Sequence, residues 1–272
     1  MSGLNIKSGH LFPVRRMFES VKKIFQSKEP INKNRDLSLA AINLLNTINE
    51  CNTIKSKKEV EAAIQLTEFL GIVPHTDRQK HWDTLKSVFY ILKDYKPENP
   101  VLDAGGGPDS VVLSTLHKFG FKKLYACDMV DLNQTTKSIE PEINFSVQNI
   151  ENTNYSNEFF QAVTCLSVIE HGVYIEKFFK EMKRILKTNG LLLITTDYWS
   201  EYIDCQGIYF YGADQPEMKI FQKREIEEVC RIAEIQGFEL CSPLRAESYE
   251  KAIRWDAVDR EFTFIFLAFK KL

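Results

Sequence analysis

The chain has 272 residues and a formal net charge of −2, with 44% apolar and 26% charged residues. That balance excludes a disordered chain, and 12 Gly, 9 Pro and 6 Cys exclude a collagen-like or disulfide-stapled scaffold. The length predicts one large domain, or a domain of about 150–180 residues with a smaller helical piece.

No apolar run approaches the roughly 20 residues that a membrane helix needs. No secretory signal is visible in Met1–Phe12. The cysteines are Cys51, Cys127, Cys165, Cys205, Cys230 and Cys241. None forms a C-x-x-C pair, so no metal site is predicted, and a reducing cytoplasm is the expected compartment. Charge is uneven. Residues 1–97 carry 16 basic and 10 acidic side chains, and residues 98–272 carry 19 and 27. The first 35 residues hold 8 basic against 2 acidic. A weak membrane or anion contact is open to this basic arm. The acidic remainder predicts no nucleic-acid face.

In chain order, residues 1–97 read as helical. Met17–Phe25 is a short amphipathic turn. Asp36 or Ser38 caps a helix through Ala40, Leu44, Leu45 and Ile48. A second follows through Val60, Ile64 and Leu70, stopped by Gly71 and Pro74. A third starts after Thr76-Asp77 and runs through Trp82, Leu85, Phe89 and Leu92. At Pro97 the texture changes to short apolar runs between helical periods. Strands are predicted at Val101–Ala104, Lys123–Asp128, Ile143–Gln148, Phe160–Val168 and Leu191–Thr196. Helices are predicted at Val111–Phe119, Tyr174–Leu186 and Gln222–Gln236, with a turn at 187–190. Late strands at Phe238–Leu244 and Phe262–Phe269 suit an antiparallel edge addition. Strand–helix alternation implies a mainly parallel sheet. The domain reading is a helical extension over 1–97 and a cofactor-binding domain over 98–272, with an aromatic insertion at about 198–220.

In an open parallel sheet, ligands bind beyond the carboxyl ends of the strands. The first end reads Asp103-Ala104-Gly105-Gly106-Gly107 and opens a helix capped by Asp109 or Ser110. Glycines let backbone approach a ligand, and the helix start favours anionic atoms. The same stretch also serves as an ordinary tight turn. Asp128 ends the second strand, where a carboxylate accepts ribose hydroxyls; Met129 follows and packs on adenine. Asn149 and its neighbours read an adenine edge or form a polar turn. Glu170 and His171 are an acid/base pair or brace a loop. Asp197 precedes an aromatic stretch, Tyr198, Trp199, Tyr202, Tyr209, Phe210 and Tyr211, that covers a substrate or packs an insertion.

These residues resemble class I S-adenosylmethionine-dependent methyltransferases of the small-molecule type with a Ser-Val-Ile-Glu-His stretch. The matching pieces are VLDAGGG (101–107), CD (127–128), QNI (148–150), CLSVIEHG (165–172) and LKTNGLLLITT (186–196). The resemblance implies an α/β fold: a Rossmann-like seven-stranded, mostly parallel sheet with a C-terminal antiparallel strand, preceded by a helical N-terminal region. It implies S-adenosylmethionine as methyl donor. Asp103, Gly105, Gly107 and Ser167 then line its methionine part, Asp128 holds the ribose, and Met129, Asn149 and Ile150 surround adenine. His171, Glu170 and Asp197 become the candidate catalytic groups. Tyr198, Trp199, Tyr209 and Tyr211 become the substrate-stacking set. The helix with His81, Trp82 and Lys86 would cover the cofactor, with Lys80 or Arg78 meeting its carboxylate.

The sequence departs from the pattern at Asp109, where a third glycine is usual, at Asn149, where Asp is common, and at Thr188-Asn189-Gly190 in place of Pro-Gly-Gly. The acceptor is expected to be a small molecule such as a sugar, a lipid or another metabolite. The competing readings are a nicotinamide-dependent oxidoreductase, since Gly105, Gly107 and Ser110 make a near-fingerprint, and a non-catalytic binding or scaffold module. RNA or protein as substrate has only the basic arm in its favour. The sequence names neither the acceptor nor the oligomeric state.

Overall fold

The computed structural model describes residues 37–131, 143–209 and 216–272. The Met17–Phe25 turn, the whole basic arm, Asp36 and Tyr211 lie outside the described residues. Two helices come first, α1 (Leu39–Asn46) and α2 (Lys57–Leu70). A 3-10 turn (Arg78–Lys80) then leads into α3 (His81–Asp94). Ser38 caps α1, its hydroxyl accepting from the Ala41 N–H. Gly71 ends α2 at φ +66, a left-handed conformation that favours glycine. Asp77 caps the 3-10 turn through the Gln79 N–H.

The sheet follows with β1 (Val101–Ala104), β2 (Leu124–Asp128), β3 (Asn144–Val147), β4 (Phe160–Leu166) and β5 (Leu186–Tyr198). The later strands are β6 (Phe238–Leu240), β7 (Ile253–Trp255) and β8 (Arg260–Lys271). Helices α4 (Val111–Lys118), α5 (Ile175–Ile185) and α6 (Lys223–Ile235) lie between them. The order is β3-β2-β1-β4-β5-β8-β6, with β7 paired to β8 outside that path. Strands β1 to β5 are parallel, and β8 runs antiparallel to both β5 and β6. This is a Rossmann-like fold.

One expectation holds and one changes. The late strands form the antiparallel edge addition: β8 pairs with β5 and β6 lies outside it, and the all-apolar centre of β8 reflects burial on both faces. The turn expected at 187–190 is absorbed into β5. Phe160 pairs with Leu186 and Ala162 with Leu191, so the intervening residues bulge out, with Asn189 at φ +62.

The sheet's period of two sorts side chains onto two cores. Val101, Leu191, Leu193, Phe264, Phe266 and Ala268 face α1–α4. Leu102, Leu192, Ile194, Ile265, Leu267 and Phe269 face α5 and α6. The N-terminal helices thus share one core with the sheet. Backbone ties reinforce this: Ile54 N–H donates to the Phe264 carbonyl and Phe266 N–H to Asn52, filling the edge of β8 beyond β6. The buried Lys86 Nζ donates to the Thr47 and Glu50 carbonyls and to Asn52 Oδ1, closing the chain after α1. Burial pushes its ammonium down to about 8. Among the described residues, no helix is long and apolar enough to cross a membrane.

Arg184 on α5 organises the loop after β3. Its guanidinium donates to both Glu181 carboxylate oxygens, to the Tyr155 and Thr153 carbonyls and to Asn157 Oδ1. Thr153 donates its N–H and hydroxyl to Glu181 as well. Burial opposes charge on Glu181, but these donors outweigh it and hold the carboxyl below its usual value. We expect Arg184→Ala to cost about 2 kcal/mol in urea unfolding at pH 7. Because the folded value is depressed, the Glu181 contribution is present above the ordinary carboxylate range and lost as pH falls through the folded value. The difference between wild type and variant should therefore shrink in acid; a difference that grows there would contradict this account.

Candidate active site

A cavity of about 560 Å³ opens at the carboxyl ends of β1, β4 and β5. Its walls come from three parts of the chain: the 73–84 segment, the strand-end loops of the sheet, and β7–β8. The alternation that builds the core also builds the floor. Asp103, Thr164, Thr195 and Asp197 fall on the α3 side of their strands, one step beyond the apolar residues 101, 162 and 193. At the ends of the strands, polar side chains replace apolar ones.

Asp103 organises the glycine turn. Its Oδ2 accepts from Ser110 Oγ at 2.6 Å and its Oδ1 from Thr164 Oγ1 at 2.6 Å. Ser110 caps α4 by accepting from the Leu113 N–H. Burial pushes the Asp103 carboxyl up, and the two hydroxyls pull it back. Gly105 has φ +86, and a Cβ there would sit 2.3 Å from Val168 Cγ2. A Cβ on Gly106 would sit 2.2 Å from Asp103 Oδ2. The turn therefore admits only glycine at both positions. Ser167, just past β4, is a non-glycine residue at φ +53, held by N–H donation to the Thr195 carbonyl.

The deepest part of the cavity gathers Asp83, Glu170 and Asp197 around Lys80. Each carboxyl is buried. Asp83 Oδ2 accepts from Thr195 Oγ1 at 3.2 Å, and Glu170 Oε2 accepts from Thr196 Oγ1 at 2.9 Å. Lys80 Nζ donates to Ser167 Oγ and lies 4.1 Å from the centroid of Phe264. Burial pushes Asp83 up to about 6 and Glu170 up to about 7, with the Lys80 charge acting against the rise. Asp197 is raised well above the ordinary carboxylate value by burial and by Glu170. His171 is pushed down to about 4 by burial and the Lys80 charge, so its imidazole is neutral near pH 7.

The sequence-derived candidates divide by location. Asp103, Gly105, Gly107, Ser167, Glu170, His171 and Asp197 all line the cavity. Asp128, Met129, Asn149 and Ile150 lie outside it, Asp128 at the end of β2 and the others on the loops after β2 and β3. Asp128 Oδ1 accepts from the Val130 N–H, and Met129 is exposed. Asn149 Oδ1 is turned to the Glu151 N–H, and Ile150 is buried in the core that faces α5 and α6.

Tyr198 corrects an expectation. It points to the opposite face of β5, fully buried, with its hydroxyl donating to the Ala246 carbonyl, and reaches no substrate space. Trp199 lies half-buried under the Lys251 ammonium, and the Tyr209 hydroxyl donates to Glu217; neither lines the cavity. His81, Trp82 and Lys86 do not cover the cavity either. The Trp82 indole N–H donates to Glu59, and the covering side chains are Lys80, Asp83 and Thr84. Arg78 is exposed and paired with Glu61.

Sequence reasoning missed Asp83, His75, Trp255, Phe262 and Phe264. The available signal for Asp83 was a carboxylate on a helix whose residues 81–92 are all buried. Amphipathic reading assigns such a residue to the solvent face. β7 is held over the cavity by Gln79, whose amide pairs with Arg254 N–H and carbonyl at 2.9 and 3.3 Å.

The chemistry of this donor set fits S-adenosylmethionine. An ammonium beside a glycine turn suits an amino-acid carboxylate, and carboxylates suit its ammonium and sulfonium. We expect Gly105→Ala to cost about 1–3 kcal/mol from the left-handed backbone alone. Its collision with Val168 adds to that, and calorimetric unfolding reads the sum; an unchanged midpoint would show that the turn tolerates a side chain.

Residues 102–194 match a family model described as a methyltransferase domain. No curated protein matches the chain. Among solved structures, it is similar to geranyl diphosphate C-methyltransferase from Streptomyces coelicolor A3(2), at 12% identity and TM-score 0.50, over 88% of this chain and 100% of that one. It is also similar to PH0226 protein from Pyrococcus horikoshii OT3, at 16% identity and TM-score 0.49, over 76% and 99%. A third is an S-adenosylmethionine-dependent methyltransferase from Methanosarcina mazei, at 13% identity and TM-score 0.47, over 66% and 95%. The family model covers about a third of the chain, residues 102–194, and it is to a methyltransferase domain that this part of the chain is similar.

Proposed function

We propose that the protein transfers a methyl group to a small-molecule acceptor held in the cavity. The observation that carries this reading is the meeting of the Asp103–Gly107 turn, Lys80 and three buried carboxyls at one sheet end. When bound, S-adenosylmethionine supplies a methyl group already made electrophilic by its sulfonium. What remains for the chain is to hold, align and exclude water.

In this reading Lys80 pairs with the carboxylate of the amino-acid tail, and the glycine turn gives that tail room. Asp128, at the end of β2 beside the turn, accepts the ribose hydroxyls. The loop after β3, braced by Arg184, borders adenine through Asn149, while Ile150 supports it from below. The 73–84 segment of the helical region walls the cavity over the 98–272 domain. His171 is a poor proton acceptor at neutral pH, because its conjugate acid is strong. Glu170, raised to about 7, is a carboxylate of matched basicity and is the better base for a weakly acidic acceptor. Asp197 stands beside it.

Isothermal titration calorimetry with S-adenosylhomocysteine tests the cofactor assignment. Binding to the wild type is expected, with Asp128→Ala at least tenfold weaker, about 1.4 kcal/mol. Absence of heat with the wild type would end this reading. The turnover rate should rise with pH through about 7 as Glu170 ionises, and Glu170→Gln should remove that limb. Lys80→Met removes the positive charge that favours the Glu170 carboxylate, so the limb should move to higher pH. A limb that moves down or stays would remove Glu170 from the proton transfer.

A further inference from the structure

The acceptor class follows from an imbalance of charge at the cavity floor. Asp83, Glu170 and Asp197 are 1%, 1% and 5% exposed, and a single ammonium, Lys80, stands among them. Arg254, also on the wall, directs its guanidinium to Asp256, Asp259 and Glu261 instead. His75 and His171 are both shifted toward the neutral form by burial and by Lys80. Asp77 caps the 3-10 turn, and Asp109 stands at the start of α4, so both add negative charge at the rim.

Asp197 is the exceptional member. Asp83 and Glu170 each accept from a threonine hydroxyl, but among the described residues nothing donates a hydrogen bond to the Asp197 carboxyl. A carboxyl that is buried, lines a cavity and lacks a donor is one whose donor arrives with a ligand. Trp255, Phe262 and Phe264 complete the wall, and aromatic faces attract organic cations. Lys80 already demonstrates this on Phe264.

Four buried carboxyls, Asp83, Asp103, Glu170 and Asp197, line the cavity with the Lys80 ammonium, and Asp103 has both oxygens satisfied by hydroxyls. A cationic ligand that donates a hydrogen bond to Asp197 supplies both the opposite charge and the missing donor. We propose, on the methyl-transfer reading above, that the acceptor is a small primary or secondary amine that enters as an ammonium ion and is held by Asp197.

The reaction balances without a further reagent. The ammonium gives a proton to the Asp197 or Glu170 carboxylate. The freed nitrogen lone pair forms the new C–N bond, and the C–S bonding pair returns to sulfur. The products are an N-methylated ammonium ion and S-adenosylhomocysteine, and the proton leaves to solvent. Glu170, pushed up to about 7, is matched to take up and release a proton near neutral pH.

The test uses the full chain saturated with S-adenosylhomocysteine and two matched sets of probes. One set is tyramine, its alcohol analogue tyrosol and 4-hydroxyphenylacetate. The other is putrescine, 1,4-butanediol and succinate. The amines should raise the unfolding midpoint and the analogues should not. Asp197→Asn, measured with S-adenosylhomocysteine held at saturation, should weaken amine binding at least tenfold. Glu170→Gln serves as the second variant if Asp197→Asn does not fold. In parallel, a metabolite extract incubated with trideuteromethyl donor should yield label on nitrogen. Label on oxygen or carbon, equal shifts from alcohols or acids, no shift from either amine, or a shift from Mg²⁺ alone would each overturn the proposal. If S-adenosylhomocysteine binds but amines do not, only the acceptor class fails; if it does not bind, both readings fail.

Discussion

Burial of charge at one end of the sheet is the constraint around which this molecule is arranged. Asp83, Asp103, Glu170 and Asp197 are all withdrawn from water, at a cost that hydrophobic packing does not offset. The chain meets that cost locally. Ser110 and Thr164 hold Asp103, Thr195 holds Asp83, Thr196 holds Glu170, and Lys80 supplies opposite charge. Every one of these partners sits at or just beyond a strand or helix end. On the face toward α3, the apolar residues 101, 162 and 193 give way to Asp103, Thr164, Thr195 and Asp197 toward the carboxyl ends of β1, β4 and β5.

That arrangement explains why the N-terminal helices are inseparable from the sheet. Lys80 and Asp83 must lie over β4 and β5, and so α3 must be anchored there. Trp82 and Phe266 pack edge to face, Tyr90 stacks on Phe266, and Cys51–Ile54 pair along β8. The anchoring strand is β8, whose centre packs into both cores. Placing β8 between β5 and β6 therefore does two things. It completes the sheet, and it offers Phe262 and Phe264 to the cavity on the same face that receives α3.

The strand ends were readable because their signals are local. VLDAGGG, CD and CLSVIEHG each combine an apolar strand with the polar or glycine residue that ends it, and such pairs need no distant partner to be recognised. The helix limits at Ser38, Gly71 and Asp77 were readable for the same reason. Tyr198 was misread because one residue along a strand reverses the face. Asp197 looks into the cavity and Tyr198 into the opposite core, and composition alone does not say which is which. The 187–190 turn was read as a break because Asn189-Gly190 is a turn signal, while the pairing of β4 with β5 carries the strand across it as a bulge.

The amino-acid sequence alone determined the α/β class, the parallel strands, the glycine turn and the carboxylates that end β1 and β2, because periodicity and chain reversal are short-range properties. Only the tertiary structure decided that Lys80 and Asp83 join Glu170 and Asp197. Those residues are separated by about 90 to 115 positions, and their meeting depends on α3 docking against β8. Long-range docking is set by complementary surfaces rather than by local pattern, so the charge balance of the cavity becomes visible only once the sheet and its helical cover are in place.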